Sequence, residues 1–159
     1  MKKLFTLFVA LFAFATMTFA QDGAFSVSGG YSWSYGLIGA EYQVGHFGFG
    51  AGWMPTTYPG SGDPLNSFSG VFTWYGGDYD ESSYYTSIAY ASNGYRSQNS
   101  YNGGAWTDNY STGMGIWMVG YKAQWLSGFG LYGGCGVGWC AEATVFNWEL
   151  GGRWTFGMY

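Results

Sequence analysis

The sequence predicts an all-β fold, an eight-stranded antiparallel up-and-down transmembrane β-barrel, and three observations lead there. In the last segment, Phe146, Trp148, Leu150, Trp154, Phe156 and Met158 take even positions, while Asn147, Glu149, Gly151, Arg153 and Thr155 take odd ones. Such alternation marks a strand with a different solvent on each face. It is also longer than the roughly 9 to 11 tilted residues that cross a bilayer. The composition points the same way, with 9% charged residues, 23% aromatic residues and 29 glycines. That is too little charge for a water-facing surface, since an average soluble domain carries about 25%. Finally, beyond the N-terminal segment no apolar run approaches a membrane helix in length. Alternation recurs instead, as the weak but repeated signal of a membrane barrel.

The first twenty residues read as a signal peptide. Lys2 and Lys3 precede an apolar run from Leu4 to Ala15, and Thr18-Phe19-Ala20 puts small residues at −3 and −1 of a cut before Gln21. The expected mature domain is therefore 21–159. It keeps Arg96, Lys122 and Arg153 against nine carboxylates, a net charge of −6. Three scattered cations on an acidic chain exclude a nucleic-acid partner.

The strands follow in order. From Phe25, the odd positions Phe25, Val27, Tyr31, Trp33 and Tyr35 are apolar or aromatic, and the even ones are small and polar. A turn at Tyr35-Gly36 flips the phase, so that Ile38, Ala40, Tyr42 and Val44 form the apolar face of strand two, opposite Gly39, Glu41 and Gln43. Gly45-His46 fits a two-residue hairpin turn that keeps Val44 and Phe47 on one face. Strand three turns Phe47, Phe49, Ala51 and Trp53 outward and glycines inward. Met54 to Ser67, with its three prolines, reads as a loop.

Strand four sets Phe68, Phe72 and Trp74 against Ser69, Val71, Thr73 and Tyr75, and strand five sets Tyr84, Thr86, Ile88 and Tyr90 against Tyr85, Ser87 and Ala89. An acidic turn, 76–81, joins them. Ser92 to Ser111 reads as the longest loop. Strand six sends Trp117, Val119, Tyr121 and Trp125 outward and Met114, Ile116, Met118, Lys122 and Gln124 inward. Strand seven opposes Phe129, Leu131, Cys135 and Val137 to Tyr132 and three glycines, and a short loop at 140–143 returns the chain to strand eight. Eight is an even count. With both termini periplasmic, the three connections at 45–46, 76–81 and 126–128 are short and the two long loops fall outside, as in bacterial outer-membrane barrels.

The chain's end adds a motif, Glu149-Leu150-Gly151-Gly152-Arg153-Trp154-Thr155-Phe156, of the form polar-x-Gly-x-x-aromatic-x-aromatic, followed by three further residues. With this strand pattern, 21–159 resembles the small eight-stranded outer-membrane barrels of the OmpA/OmpX type. The resemblance implies integral residence in a bacterial outer membrane, lipid as the surrounding partner, and Glu149, Gly151, Trp154 and Phe156 as a signal read by the barrel assembly machinery. It implies no particular activity, because this architecture hosts enzymes, adhesins, pores and structural proteins.

Four charges, Glu41, Lys122, Glu149 and Arg153, fall on the inward face and are expected to pair as a plug, or else to line a narrow gated pore or a small-ligand carrier. Met114, Ile116 and Met118 either pack against lumen glycines or line an apolar pocket. Asn93 to Tyr110 mixes Tyr, Trp, Asn, Ser and Gly in the manner of antibody contact loops. Tyr58, Tyr95, Arg96, Tyr101, Trp106 and Tyr110 are thus a candidate surface for an extracellular sugar or protein. Catalysis is not expected: the one histidine, His46, lies in a periplasmic turn, and a nucleophile needs its base alongside. No metal or cofactor site is expected, because one His and two Cys lack ligand spacing. Cys135 and Cys140 would lie about 17 Å apart on a continuous strand, beyond disulfide reach. A turn at 136–139 would bring them together, which leaves the pairing open.

Overall fold

The computed structural model describes residues 23–32, 34–57, 64–100, 106–125 and 127–156, without the side chains of 56, 57, 64, 95–100 and 106–110. Eight strands appear: β1 (Gly23–Ser32), β2 (Gly36–Val44), β3 (Phe47–Thr57), β4 (Pro64–Tyr75), β5 (Ser83–Ser100), β6 (Trp106–Gln124), β7 (Phe129–Trp139) and β8 (Thr144–Phe156). Each pairs antiparallel with the next, and β8 pairs with β1 to close the barrel. The expected signal peptide lies outside the described residues.

The strand phases follow the alternation. The expected outward aromatics of β3, β4 and β8 (Phe47, Phe49, Phe72 and Trp148) all lie on the exposed outer wall, Phe49 at 59%. The buried positions are inside and mostly polar, so the barrel is inverted relative to a soluble protein. Turn chemistry sets the register. Gly45, at φ 51°, takes the first central position of the β2–β3 turn, and Val44 pairs with Phe47 as expected. At the short-turn end lie the connections that follow Val44, Tyr75 and Gln124, together with Gly23 and Phe156; Ser32, Thr57, Ser100 and Trp139, where the other strands end, lie at the opposite, hairpin end.

Three expectations need correction. Met54 to Ser67 is largely ladder: β3 continues to Thr57 and β4 starts at Pro64, with Pro55 opposite Asn66. β2 pairs β3 only as far as Trp53, so beyond it β3 is an edge strand, where proline is tolerated. Ser92 to Ser111 is likewise mostly a ribbon, since β5 and β6 stay paired out to Ser100 and Trp106 after a register shift between Ala91 and Tyr95. Tyr35, expected outside, is buried inside. The Ser32 hydroxyl accepts the backbone N–H groups of Ser34 (3.1 Å) and Tyr35 (2.9 Å), and Gly36 follows at φ 73°. This serine-held turn curls the chain inward before β2 begins.

Candidate functional site

The lumen is the candidate site, and large side chains fill it because glycines face them. A side chain on Gly151 would meet the Tyr132 ring, one on Gly120 the Tyr85 ring, one on Gly48 the Glu41 carboxylate, and one on Gly138 the sulfur of Met114. The glycines thus give room for four tyrosines, Tyr35, Tyr75, Tyr85 and Tyr132, all buried.

The four predicted charges separate into three places. Arg153 on β8 and Glu41 on β2 flank β1, two strand spacings or about 10 Å apart. The β1 residues between them are Ser26 and Ser28, paired with Glu41 and Arg153 respectively. These side chains are too short to block the guanidinium, which crosses to form the one ion pair among the described residues, at 2.9 Å. Arg153 also donates to the Tyr75 hydroxyl (2.9 Å) and to Ser26 (2.7 Å). Glu41 receives further hydroxyls from Tyr75 (2.7 Å) and Tyr35, and the Tyr35 oxygen lies 2.8 Å from that of Thr73. A buried pair needs such extra bonds, because its attraction alone scarcely repays desolvation.

Lys122 and Glu149 do not pair, contrary to the expected four-charge plug. The Lys122 ammonium, fully buried, turns to the short-turn end and donates to the carbonyls of Asp78 (3.1 Å) and Tyr79 (3.2 Å) and to Gln43 Oε1 (3.4 Å), with the Tyr75 ring centroid 4.7 Å away. Gln43 in turn donates to the carbonyls of Gly45 (2.8 Å) and Gly77 (3.3 Å). Together they draw the β4–β5 turn across that end of the barrel. Glu149 accepts the hydroxyls of Ser32 and Tyr85, each at 2.5 Å, and no cation is paired with it among the described residues.

Toward the hairpin end the lumen becomes apolar. Met114, Ile116 and Met118 are fully buried and pack with Tyr35, Val71, Ala89 and Ala91, with Val145 against the cluster. They fill the space rather than line a pocket. In the polar half a cavity of about 20 Å³ remains, bordered by Ser28, Tyr85, Tyr132, Glu41, Lys122 and Arg153 among others. That is room for one water-sized atom.

The other sequence-predicted residues fall elsewhere. Tyr58 and Tyr101 lie outside the described residues. Tyr95, Arg96, Trp106 and Tyr110 sit on the β5–β6 ribbon, with their side chains outside the description. Of the end motif, Gly151 faces the lumen with Glu149, whereas Trp154 and Phe156 are on the outer wall. His46 lies in its turn with Nδ1 3.0 Å from the Tyr75 carbonyl. Both cysteines are free: Cys135 is exposed on the outer wall, and Cys140 is held near the Ala143 carbonyl. Ser32 and Gln43 were missed as site residues. Their inward phase was visible in the alternation, but their partners were not: Ser32 donates to Glu149 on the neighbouring β8, and Gln43 reaches carbonyls of two turns whose closing direction the alternation does not encode.

These features define a class, the closed eight-stranded barrel with an apolar wall outside and a filled lumen, polar toward the short turns and apolar toward the hairpins, as expected for the OmpA/OmpX type. No family model matches the sequence, and no curated protein matches it either. Among solved structures, the crystal structure of the N-terminal β-barrel domain of Pseudomonas aeruginosa OprF is similar, with a TM-score of 0.54 at 12% identity over 84% of this chain and 96% of that chain. At that identity the likeness is one of fold.

Proposed function

We infer that the protein is a non-enzymatic integral protein of a bacterial outer membrane, with a structural role or a surface-contact role carried by its external hairpins. The observation that carries this reading is the filled lumen. An apolar cluster closes one half, the Arg153–Glu41 pair and the tyrosines close the other, and the cavity left within that polar half has room for about one water. The outer wall supports membrane residence, with Phe49, Phe72, Ile88, Val119, Phe146 and Leu150 exposed together. Apolar patches of that extent are rare on soluble monomers. Trp74, Trp125 and Trp154 near one rim and Trp53 and Trp139 near the other fit interfacial girdles.

In this reading the short-turn end and both termini face the periplasm, and the β5–β6 ribbon projects outside. There it carries the candidate sugar or protein surface, while Trp154 and Phe156 serve recognition by the assembly machinery. The narrow-pore alternative rests on the polar half of the lumen. Single-channel recording of the refolded mature chain in a planar bilayer tests the choice, after heat-modifiable gel migration has established folding. A folded, silent barrel is expected. Discrete openings that change with Arg153→Gln would replace this reading with the pore.

A further inference from the structure

We propose that the lumen cavity beside Arg153 binds a single halide ion, chloride in ordinary media. Arg153 is 93% buried by its 7% exposure, and its Nη1 and Nη2 are engaged, but its Nε–H has no acceptor among the described residues. Buried guanidinium donors are normally satisfied, so an acceptor belongs beside it. Arg153 borders the cavity, which is where one fits.

Charge selects the acceptor. The charged side chains bordering the cavity are two cations, Arg153 and Lys122, and one carboxylate, Glu41. That carboxylate is already saturated by Arg153, Tyr35 and Tyr75. Lys122 spends its hydrogen bonds on neutral acceptors, two carbonyls and an amide oxygen, so its charge has no carboxylate in contact. Glu149, the other lumen acid, is not among the bordering residues and is held by Ser32 and Tyr85. The cavity border itself thus carries one more cation than carboxylate, with the balancing Glu149 one hydroxyl further out behind Tyr85, and in a low-dielectric interior that border favours an anion over a water.

Size selects the anion. About 20 Å³ is the space of a single atom, which excludes phosphate, sulfate and carboxylates, and a halide, being larger than a water, enters with a small outward shift of the wall. The hydroxyls of Ser28 and Tyr132 on the cavity wall are further donors that can rotate toward it. The inference holds whether or not the lumen conducts, because it concerns a resident ion rather than a permeating one.

Crystals of the refolded protein grown with sodium bromide in place of chloride test it by anomalous scattering at the bromine edge. The expected result is a lumen peak within hydrogen-bonding reach of Arg153 Nε. Bromide found only on the surface, or an ordinary water at that place, overturns the proposal. A second measurement compares the temperature of the heat-modifiable band shift in sodium chloride and sodium gluconate at equal ionic strength. Chloride is expected to raise it by about 3 °C in the natural sequence. Arg153→Lys, which keeps a cation for Glu41 but removes the Nε donor, should abolish the difference. Equal temperatures in the natural sequence, or a chloride effect undiminished in Arg153→Lys, count against the site.

Discussion

Replacing Ile88 with arginine separates a lipid-facing wall from a water-facing one. Ile88 points outward at 59% exposure, between Phe72 on β4 and Trp117 on β6. It lies five residues beyond Ser83, where β5 begins, or roughly 17 Å along the strand. With a tilt of about 40°, that is about 13 Å above the short-turn rim, near the middle of an apolar band about 25 Å tall. An arginine there should cost about 2–4 kcal/mol, shifting the folding equilibrium about 30- to 700-fold. At an exposed position of a soluble protein the same change stays within about 0.5 kcal/mol. Tyr84→Arg, at the first outward position of β5, provides the depth control and should cost only about 0–1 kcal/mol. Urea titration of folding into fluid phosphatidylcholine vesicles, read by tryptophan fluorescence and gel mobility, measures both. An Ile88→Arg variant as stable as the natural sequence, or a Tyr84→Arg variant equally damaged, would refute the lipid-facing assignment.

Arg153→Met strands the Glu41 carboxylate in the lumen and should cost about 3–5 kcal/mol in the same titration, while adding Glu41→Gln recovers most of the loss. Gly151→Val puts side-chain atoms into the Tyr132 ring, from which even a Cβ would lie only 2.5–2.8 Å. The expected loss is about 1–3 kcal/mol, and Tyr132→Ala in the same chain should restore part of it in a double-mutant cycle. Gel mobility should be the same with and without reductant, because Cys135 and Cys140 are both free. In vesicles, a water-soluble maleimide should label Cys140 and spare Cys135; mass spectrometry of the labelled protein reads the result.

The eight strands were legible wherever the two faces differ in kind, apolar outside and small or polar inside. β8 and β3 show this best, because Phe146, Trp148, Leu150, Trp154 and Phe156 on the one and Phe47, Phe49 and Trp53 on the other hold alternate positions. The alternation fades beyond Ala91 and before Met114, where neither face needs to be apolar. The sequence there looks like a loop although backbone pairing continues to Ser100 and Trp106. The inward phase of all four charges was also legible, but not their partners. Which inward residues meet depends on how far each side chain reaches around the closed barrel, and strand alternation carries no such angular information. Arg153 and Glu41 meet because Ser26 and Ser28 stand between them, whereas Lys122 is claimed by carbonyls of a turn whose fold is set by backbone. Tyr35 was misread for a related reason: its odd position matches the outward row of β1, but the Ser32 turn intervenes before that row can continue.

The seam between β1 and β8 makes the chain cyclic in space. Ser26 and Thr155, 129 residues apart, bond across it at 3.0 Å, and Phe25 is directly opposite Phe156. A cycle has no privileged starting strand. The chain opened at Gly45-His46, with the 23 and 156 ends joined by a short linker, would have the same eight neighbours to find. The cost of cyclic order is kinetic, because a seam spanning nearly the whole domain forms only after the intervening hairpins have brought its edges together. Until then, both edge strands present unpaired backbone groups.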